Sequence, residues 1–290
     1  MVFLISACGI EQTAEFATET ASPTTAPTIT QTSIPPSATP IPMAVIINNE
    51  GITREEFDAE LDRYLSASGS GEGIESTSPE NLVLENFISQ ILLKQGSEKN
   101  GFEISESQID SRIQELISES GGEEAFNSWL TDNGYNLDSF KIALAKSIMA
   151  AWMRDQILQD VPQSAEQVYI QQLFFLSADQ ANQVFQELES GRDFATIAAE
   201  LDPFTRGELG WVPRNYLPHQ EIEEVAFNLQ LGEYSQVIET SVGYHIIRVL
   251  EFDQDRRLNP DARLVWQELA LQDWINQQRE ASNIEVFALE

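Results

Sequence analysis

The hydrophobic pattern of the chain changes near residue 163, and this change limits the folds that the chain can adopt. Before it, residues 44–163 carry apolar side chains at intervals of three and four, the period of an amphipathic helix. After it, residues 164–253 alternate between short runs rich in β-branched and aromatic residues and short helical stretches. A length of 290 residues allows two domains and a tail. We therefore predict a multidomain protein with a mainly α-helical part followed by a mixed part of strands and helices.

The helical part is predicted to open with a short strand and a turn. The apolar residues Val45 and Ile47 are two positions apart, which is typical of a short strand with one apolar face. Residues 48–51 have the composition of a tight turn. Thr53 and Glu56 form a capping box at the start of a helix. Apolar residues then recur at helical spacing at Leu84, Phe87, Ile88, Ile91 and Leu92, at Ile109, Ile113, Leu116 and Ile117, and at Phe140, Leu144, Ile148 and Trp152. Glycine-rich breaks at 68–73 and 121–122 separate these helices.

The mixed part carries signals for three strands, three helices and one loop. The predicted strands are 168–175, 237–239 and 244–251, the helices are 179–189, 194–201 and 221–228, and the loop is 210–214. A last helix follows Pro260, and its broad apolar surface suits a buried or docking helix. The alternative, a free amphipathic helix on a membrane, is less favoured because its polar face is rich in acids and amides rather than Lys or Arg.

Charge and motifs exclude several classes of function. The chain has 47 acidic and 16 basic residues and a formal net charge of −31, which repels phosphate backbones, so we expect no nucleic-acid partner. Motifs of the GxGxxG, GxxxxGK[ST], GxSxG and HExxH types do not occur in the sequence. Cys8 is the only cysteine, and the two histidines, His219 and His245, are far apart in sequence. We therefore expect no internal disulfide, no metal site and no cofactor.

The N-terminal region has the composition of a tether. Residues 11–42 are mostly Thr, Ser, Pro, Ala and Gln, which cannot bury apolar area. Residues 5–8, Ile-Ser-Ala-Cys, resemble a bacterial lipobox. This resemblance implies a partial lipoprotein signal over residues 1–8, lipidation of Cys8 and an extracytoplasmic location on the bacterial cell membrane. The composition predicts a disordered tether over 9–43. Residues 1–7 contain no Lys or Arg and are short for a signal peptide, so we expect an upstream start codon.

The helical part resembles the N-terminal domain shared by SurA-type chaperones and PrsA-type foldases. The matching pieces are VIINNEGITREEFDAEL, LENFISQILLKQGSEKNGFEISESQIDSRIQEL and GYNLDSFKIAL. The resemblance implies a helical chaperone domain over 44–163, completed by residues 254–290, which presents apolar surface to unfolded chains. The alternative is that the apolar residues at these spacings are simply core.

The mixed part resembles the parvulin (PpiC) rotamase family. Its motifs are DFATIAAEL at 193–201, GELGW at 207–211, EEVAF at 223–227, LGE at 231–233 and GYHII at 243–247. Several motifs in the family's order are more specific than any one of them. The resemblance implies an α+β parvulin domain over 164–253, with an antiparallel sheet flanked by helices and peptidyl-prolyl cis-trans isomerase activity.

The resemblance also implies a set of site residues. The polar positions are His245, Gln172, Thr240 and Asp202, and the apolar slot for the proline ring consists of Leu209, Leu217, Ile222 and Phe227. Two departures from the family weaken the expected activity. Gln172 stands where the family has a first-strand histidine, and the loop at 201–206, which carries Asp202, is shortened. A turn-forming aspartate before proline is the alternative for Asp202.

The leading hypothesis is a peptidyl-prolyl isomerase and chaperone for unfolded or nascent secreted polypeptides that contain X–Pro bonds. The alternative is a non-catalytic holdase with a degenerate parvulin domain. A third reading is an inert structural lipoprotein of the cell envelope.

Overall fold

The computed structural model describes residues 41–68 and 78–287. The helices are α1 Arg54–Ser68, α2 Pro79–Lys99, α3 Glu106–Glu119, α4 Glu123–Asp132, α5 Leu137–Asp160, α6 Ala178–Glu189, α7 Phe194–Leu201, α8 Gln220–Ala226 and α9 Pro260–Glu280. The strands are β1 Met43–Ile47, β2 Glu50–Thr53, β3 Ser164–Phe175, β4 Glu208–Pro213, β5 Ile238–Thr240, β6 Gly243–Arg257 and β7 Ile284–Val286. The predicted lipidation site Cys8, nearly all of the tether and most of the break at 68–73 lie outside the described residues.

The helical part is organised around α2 and α5. Ser78 caps α2 by accepting a hydrogen bond from the Asn81 N–H, and Pro79 follows at the first helical position, where its missing N–H costs nothing. Asn136 caps α5 in the same manner through the N–H of Ser139. The apolar face of α2 forms a core with α1 and the first two strands, and Phe57 lies fully buried in it.

A small antiparallel sheet joins the two ends of the described chain. Its order is β2-β1-β7, so that β1 lies between its hairpin partner and the last strand. Val45 pairs with Val286 and Ile47 with Ile284. The sequence analysis missed β7, because three residues beside a chain end give too short a pattern to recognise.

The last helix, α9, packs against α2 and α5. Leu271 and Trp274 contact the buried residues of two apolar clusters in this part of the protein. The Trp274 indole fits over Gly96, where an added Cβ would lie 2.6 Å from two ring carbons. Gly96 therefore occupies the interior of α2, where glycine normally destabilises a helix, because only glycine leaves room for the indole ring.

The second sheet has four antiparallel strands in the order β4-β3-β6-β5. Helices α6 and α7 cover one face through a cluster that includes Leu173 and Ile246. Helix α8 covers the other face through a cluster that includes Ile170 and Ile247. This arrangement confirms the predicted fold class, a mainly helical part and an α+β part with helices flanking an antiparallel sheet. The boundaries proposed for the domains stay a prediction.

One predicted loop is a strand. Residues 210–214, expected to be a loop, belong largely to β4, in which Val212 pairs with Val168 and Trp211 with Tyr169. Gly210 and Pro213 suggested a loop, but β4 is an edge strand, where a proline at the last position removes no ladder hydrogen bond. Helix α4 was also missed, since Gly122 precedes it without a side-chain cap.

The contact between Gly96 and Trp274 generates a prediction. Gly96→Ala should destabilise the protein by about 1–3 kcal/mol, because the methyl group overpacks the α2–α9 interface. Helix propensity alone predicts the reverse, a gain of about 1 kcal/mol. Urea unfolding monitored by circular dichroism measures the difference.

The double variant Gly96→Ala/Trp274→Leu is the control, because the smaller side chain relieves the overlap and the alanine then costs less than it does in the wild-type background. An increase in stability for Gly96→Ala alone would contradict the packing described for α9.

Candidate active site

Three of the four predicted polar residues form one hydrogen-bonded group. The imidazole Nε2 of His245 lies 3.0 Å from the Thr240 hydroxyl, and its Nδ1 lies 3.2 Å from the Gln172 amide oxygen. The pairing of β3 with β6 sets Phe174 opposite His245, so Gln172 is its diagonal neighbour on the same face. Because an amide oxygen only accepts, the tautomer that suits this arrangement carries its proton on Nδ1.

His245 is held as a neutral imidazole. Its side chain is only 4% exposed, and the Phe174 ring lies 5.0 Å away between centroids. Burial lowers the pKa of His245 below its usual value, and the neighbouring His219 lowers it further. The two histidine rings, far apart in sequence, lie 6.2 Å apart between centroids. The site therefore contains a second imidazole that the sequence analysis did not assign to it.

Three of the four residues predicted for the proline slot lie together. Ile222 is buried in the cluster under α8, and Leu217 and Phe227 pack against that cluster while remaining partly exposed. The guanidinium of Arg214 lies 4.0 Å above the Phe227 ring. Leu209 is 39% exposed on the edge strand β4 and is not one of the residues of this cluster. The structure thus brings Leu217, Ile222 and Phe227 into one apolar surface, whereas Leu209 is an exposed residue of the edge strand.

Glu223 shapes the loop that carries Leu217, and the sequence analysis missed it. Its carboxylate is 6% exposed and accepts hydrogen bonds from the backbone N–H groups of Asn215, Tyr216 and Leu217. The loop turns at Asn215, which has a φ of 59°, and its N–H groups would lack partners without the carboxylate. The available signal was the position of this acidic residue between Ile222 and Ala226, which are buried on α8. An acid buried at such a position needs a hydrogen-bonding or charged partner.

Asp202 lies outside the hydrogen-bonded group around His245. It ends α7, and its carboxylate accepts hydrogen bonds from the Thr205 hydroxyl and from the N–H groups of Phe204 and Thr205. These bonds, chiefly those from Thr205, hold the pKa of Asp202 below its usual value. This is the geometry of a turn-forming aspartate.

The segment that follows the Asp202 turn contacts the site through Gly207. The Gly207 carbonyl accepts a 2.7 Å hydrogen bond from the Gln172 N–H. A Cβ on Gly207 would lie 2.0 Å from the Gln172 carbonyl oxygen, and its φ is +70°, so glycine is required at this close approach. Asp202 therefore supports the backbone beside Gln172 rather than the imidazole.

A groove in the helical part is a second candidate site. It encloses about 680 Å³ between α1, α2 and the segment from α4 to α5. One wall is aromatic, with Trp129 and Tyr135 each packed against Phe140, and Trp129 is 45% exposed. Arg63 lies 4.6 Å above the Tyr135 ring. The polar rim includes Asn86, Gln90 and Ser139. An aromatic wall with amides and hydroxyls at its rim can bind apolar side chains and peptide groups together.

Neither a metal site nor a membrane span is found within the part of the chain that the structure describes. Residues 41–68 and 78–287 contain no group of three or more His, Cys, Asp and Glu side chains placed to hold a metal ion. No helix within these ranges is both long and apolar enough to cross a bilayer.

Two family models match the chain. A PPIC-type PPIase domain, of the rotamase family, matches residues 176–251, and a SurA-like N-terminal domain matches residues 29–154. The first match contains Thr240, His245 and the slot residues, and the second contains the groove.

Curated relatives carry related names. The foldase protein PrsA of Caldanaerobacter subterraneus is 28% identical over 180 residues, which cover 57% of this chain and 55% of that protein. Foldase protein PrsA 4 of Bacillus cereus is 25% identical over 210 residues, covering 64% and 73%. The periplasmic chaperone PpiD of Haemophilus influenzae is 39% identical over 82 residues, covering 27% and 13%. The chain thus spans little more than half of the first of these relatives.

Among solved structures, the peptidylprolyl isomerase PrsA from Bacillus cereus aligns with a TM-score of 0.47 at 17% identity, covering 82% of this chain and 91% of that one. The sequence motifs, the four-stranded sheet and the two family matches agree on the same order of parts. The chain therefore carries a SurA-like N-terminal domain followed by a PPIC-type rotamase domain.

Proposed function

We propose that this protein is a peptidyl-prolyl cis-trans isomerase and chaperone that assists the folding of secreted or envelope proteins outside the cytoplasm. The observation that carries the proposal is the apolar surface of Leu217, Ile222 and Phe227, which lies on the same face of the sheet as the neutral His245 group. Its substrates are unfolded or nascent polypeptides that contain X–Pro bonds.

Rotation about an X–Pro bond requires little from an enzyme. The barrier of about 18–20 kcal/mol arises from amide resonance, which is lost when the bond twists, so no nucleophile and no cofactor are needed. A surface that holds the proline ring and polar groups that favour the twisted amide lower this barrier. Every 1.36 kcal/mol of preference for the twisted form accelerates rotation about tenfold.

Gln172 is compatible with this chemistry. Its amide oxygen lies 3.2 Å from Nδ1 of His245, so the glutamine keeps the imidazole in one orientation as a second histidine would. An amide does not titrate, and the pKa of His245 is lowered by burial, so the pair stays uncharged at neutral pH. Binding of the apolar proline ring beside a neutral site therefore does not require the desolvation of a charge.

The chaperone role is assigned to the groove of the helical part. Its aromatic wall, with Trp129 and Tyr135, offers contacts to apolar side chains of an unfolded chain, and the exposed Ile142 (58%) extends the apolar surface. Exposed apolar area of this kind on a soluble protein is typical of sites that bind other chains. The names of the relatives, which are foldases and chaperones, support this assignment.

A non-catalytic holdase is the second candidate function. The exposure of Leu209 and the presence of Gln172 favour it. The apolar surface of Leu217, Ile222 and Phe227, on the same face of the sheet as His245, favours catalysis. An inert structural lipoprotein is the third reading, and an absence of both isomerase and anti-aggregation activity would point to it.

The location is proposed to be extracytoplasmic. The relative from Haemophilus influenzae is named a periplasmic chaperone, which supports a place outside the cytoplasm. The lipobox-like residues 5–8 support a lipid anchor at Cys8 on the bacterial cell membrane.

The slot is tested by Leu217→Glu. A carboxylate in this surface would have to be desolvated when the proline ring binds, at a cost of about 3 kcal/mol, so kcat/KM for an Ala-Pro peptide should fall about a hundredfold. Exchange NMR on the peptide measures the rate, and circular dichroism checks that the fold is retained.

Leu264→Glu is the matched control, because Leu264 is 63% exposed on α9 and should tolerate the same substitution with unchanged turnover. Wild-type turnover in Leu217→Glu would mean that the slot lies elsewhere. If the wild-type protein suppresses aggregation of a denatured client but does not accelerate isomerisation of the peptide, the non-catalytic holdase is the remaining candidate function.

The anchor is tested by Cys8→Ala. In bacteria that express the chain behind a complete lipoprotein signal peptide, labelled palmitate should enter the wild-type protein, which should fractionate with membranes. The Cys8→Ala variant should take up no label and should be released. Equal labelling of the two proteins, or of neither, would contradict the anchor.

A further inference from the structure

His245 has no free hydrogen-bonding atom for a substrate. Both ring nitrogens have partners, the Thr240 hydroxyl at 3.0 Å and the Gln172 amide oxygen at 3.2 Å. The side chain is only 4% exposed. A peptide could reach it only by breaking one of these bonds in a buried setting, which is costly. The His245 ring is therefore committed to Thr240 and Gln172.

The ring of His219 differs from that of His245 in its hydrogen bonds. It is the N-cap residue of α8, and its carbonyl oxygen accepts hydrogen bonds from the N–H groups of Ile222 and Glu223, so its backbone is fixed. Its imidazole makes no capping hydrogen bond. Within residues 41–68 and 78–287 no group hydrogen-bonds to this ring, although the side chain is half-buried. Both of its nitrogens are available to a ligand.

The position of His219 is at the edge of the proline slot. Leu217 precedes it by two residues and Ile222 follows by three, and both belong to the apolar surface of the slot. On the other side its ring lies 6.2 Å from that of His245, between centroids. The His219 imidazole is thus flanked in sequence by two slot residues and in space by the His245 ring.

We propose that His219 is the residue that contacts the rotating X–Pro amide, and that His245 acts only through positioning. This inference rests on the proposed isomerase function. When the amide twists, its nitrogen loses conjugation and becomes a better hydrogen-bond acceptor. An imidazole N–H that donates to it stabilises the twisted form more than the planar one, which lowers the barrier.

The charges around His219 leave this contact open. On β6, His245 lies beside the His219 ring, and its own neighbours Gln172 and Phe174 on β3 do not titrate. On its own helix Glu221 is exposed, and the Glu223 carboxylate is occupied by three backbone N–H groups. No carboxylate is therefore committed to the His219 ring.

The chain has only two histidines, which makes the test direct. Long-range proton–nitrogen NMR on the full-length protein with labelled histidine resolves both rings. Addition of an Ala-Pro peptide should shift the ring-nitrogen signals of His219 by more than those of His245. His219→Ala should lower kcat/KM about tenfold, the effect of one hydrogen bond made in the transition state. The midpoint of thermal unfolding should not change.

Two variants separate contact from structure. His219→Gln retains a donor and an acceptor and should recover part of the rate lost in His219→Ala. Glu224→Gln, an exposed substitution on the same helix, should keep the wild-type rate. If the wild type accelerates isomerisation and His219→Ala accelerates it equally, the role proposed for His219 is wrong, but the proposed isomerase function stands. A wild-type protein that does not accelerate the peptide would overturn the proposed function itself.

Discussion

The pairing of β3 with β6 is the constraint on which the site depends. These two long strands run antiparallel from Ser164↔Arg257 to Phe175↔Tyr244, and the register sets Gln172 diagonal to His245. A slip of one residue would move the imidazole to the opposite face, under α6 and α7, and would separate it from α8. Gly243 helps to fix the register at the strand start, where a Cβ would lie 2.5 Å from the Phe175 carbonyl oxygen.

The end of the chain connects the two parts of the protein. Helix α9 packs on α2 through Trp274 and Gly96, and β7 pairs with β1, so the residues after the rotamase sheet join the helices that precede it. The same helix reaches the other part, where the Trp266 indole N–H donates a 2.7 Å hydrogen bond to the Arg214 carbonyl. Arg214 precedes the loop that Glu223 holds and that carries Leu217. The loop of the proposed slot is thus supported from both sides.

The elements that local sequence signals define could be predicted from the sequence. Helix α7 was predicted with its observed bounds, because Asp193 caps it and the apolar residues follow at once. Strand β4 was taken for a loop, because Gly210 and Pro213 have a different meaning at a sheet edge, which is a property of the tertiary fold. The proximity of His219 to His245 could not be predicted, because it depends on how α8 lies across the sheet. Leu209, assigned by motif, is exposed on the edge strand β4.

The central claim is that the surface of Leu217, Ile222 and Phe227 holds the proline ring. Isotope-filtered NOE spectroscopy on the full-length protein with an Ala-Pro peptide tests it most directly. We expect contacts from the proline γ and δ protons to the Leu217 methyl groups and to the Phe227 ring. Contacts confined to groove residues such as Trp129 and Tyr135, with none to Leu217 or Phe227, would contradict it.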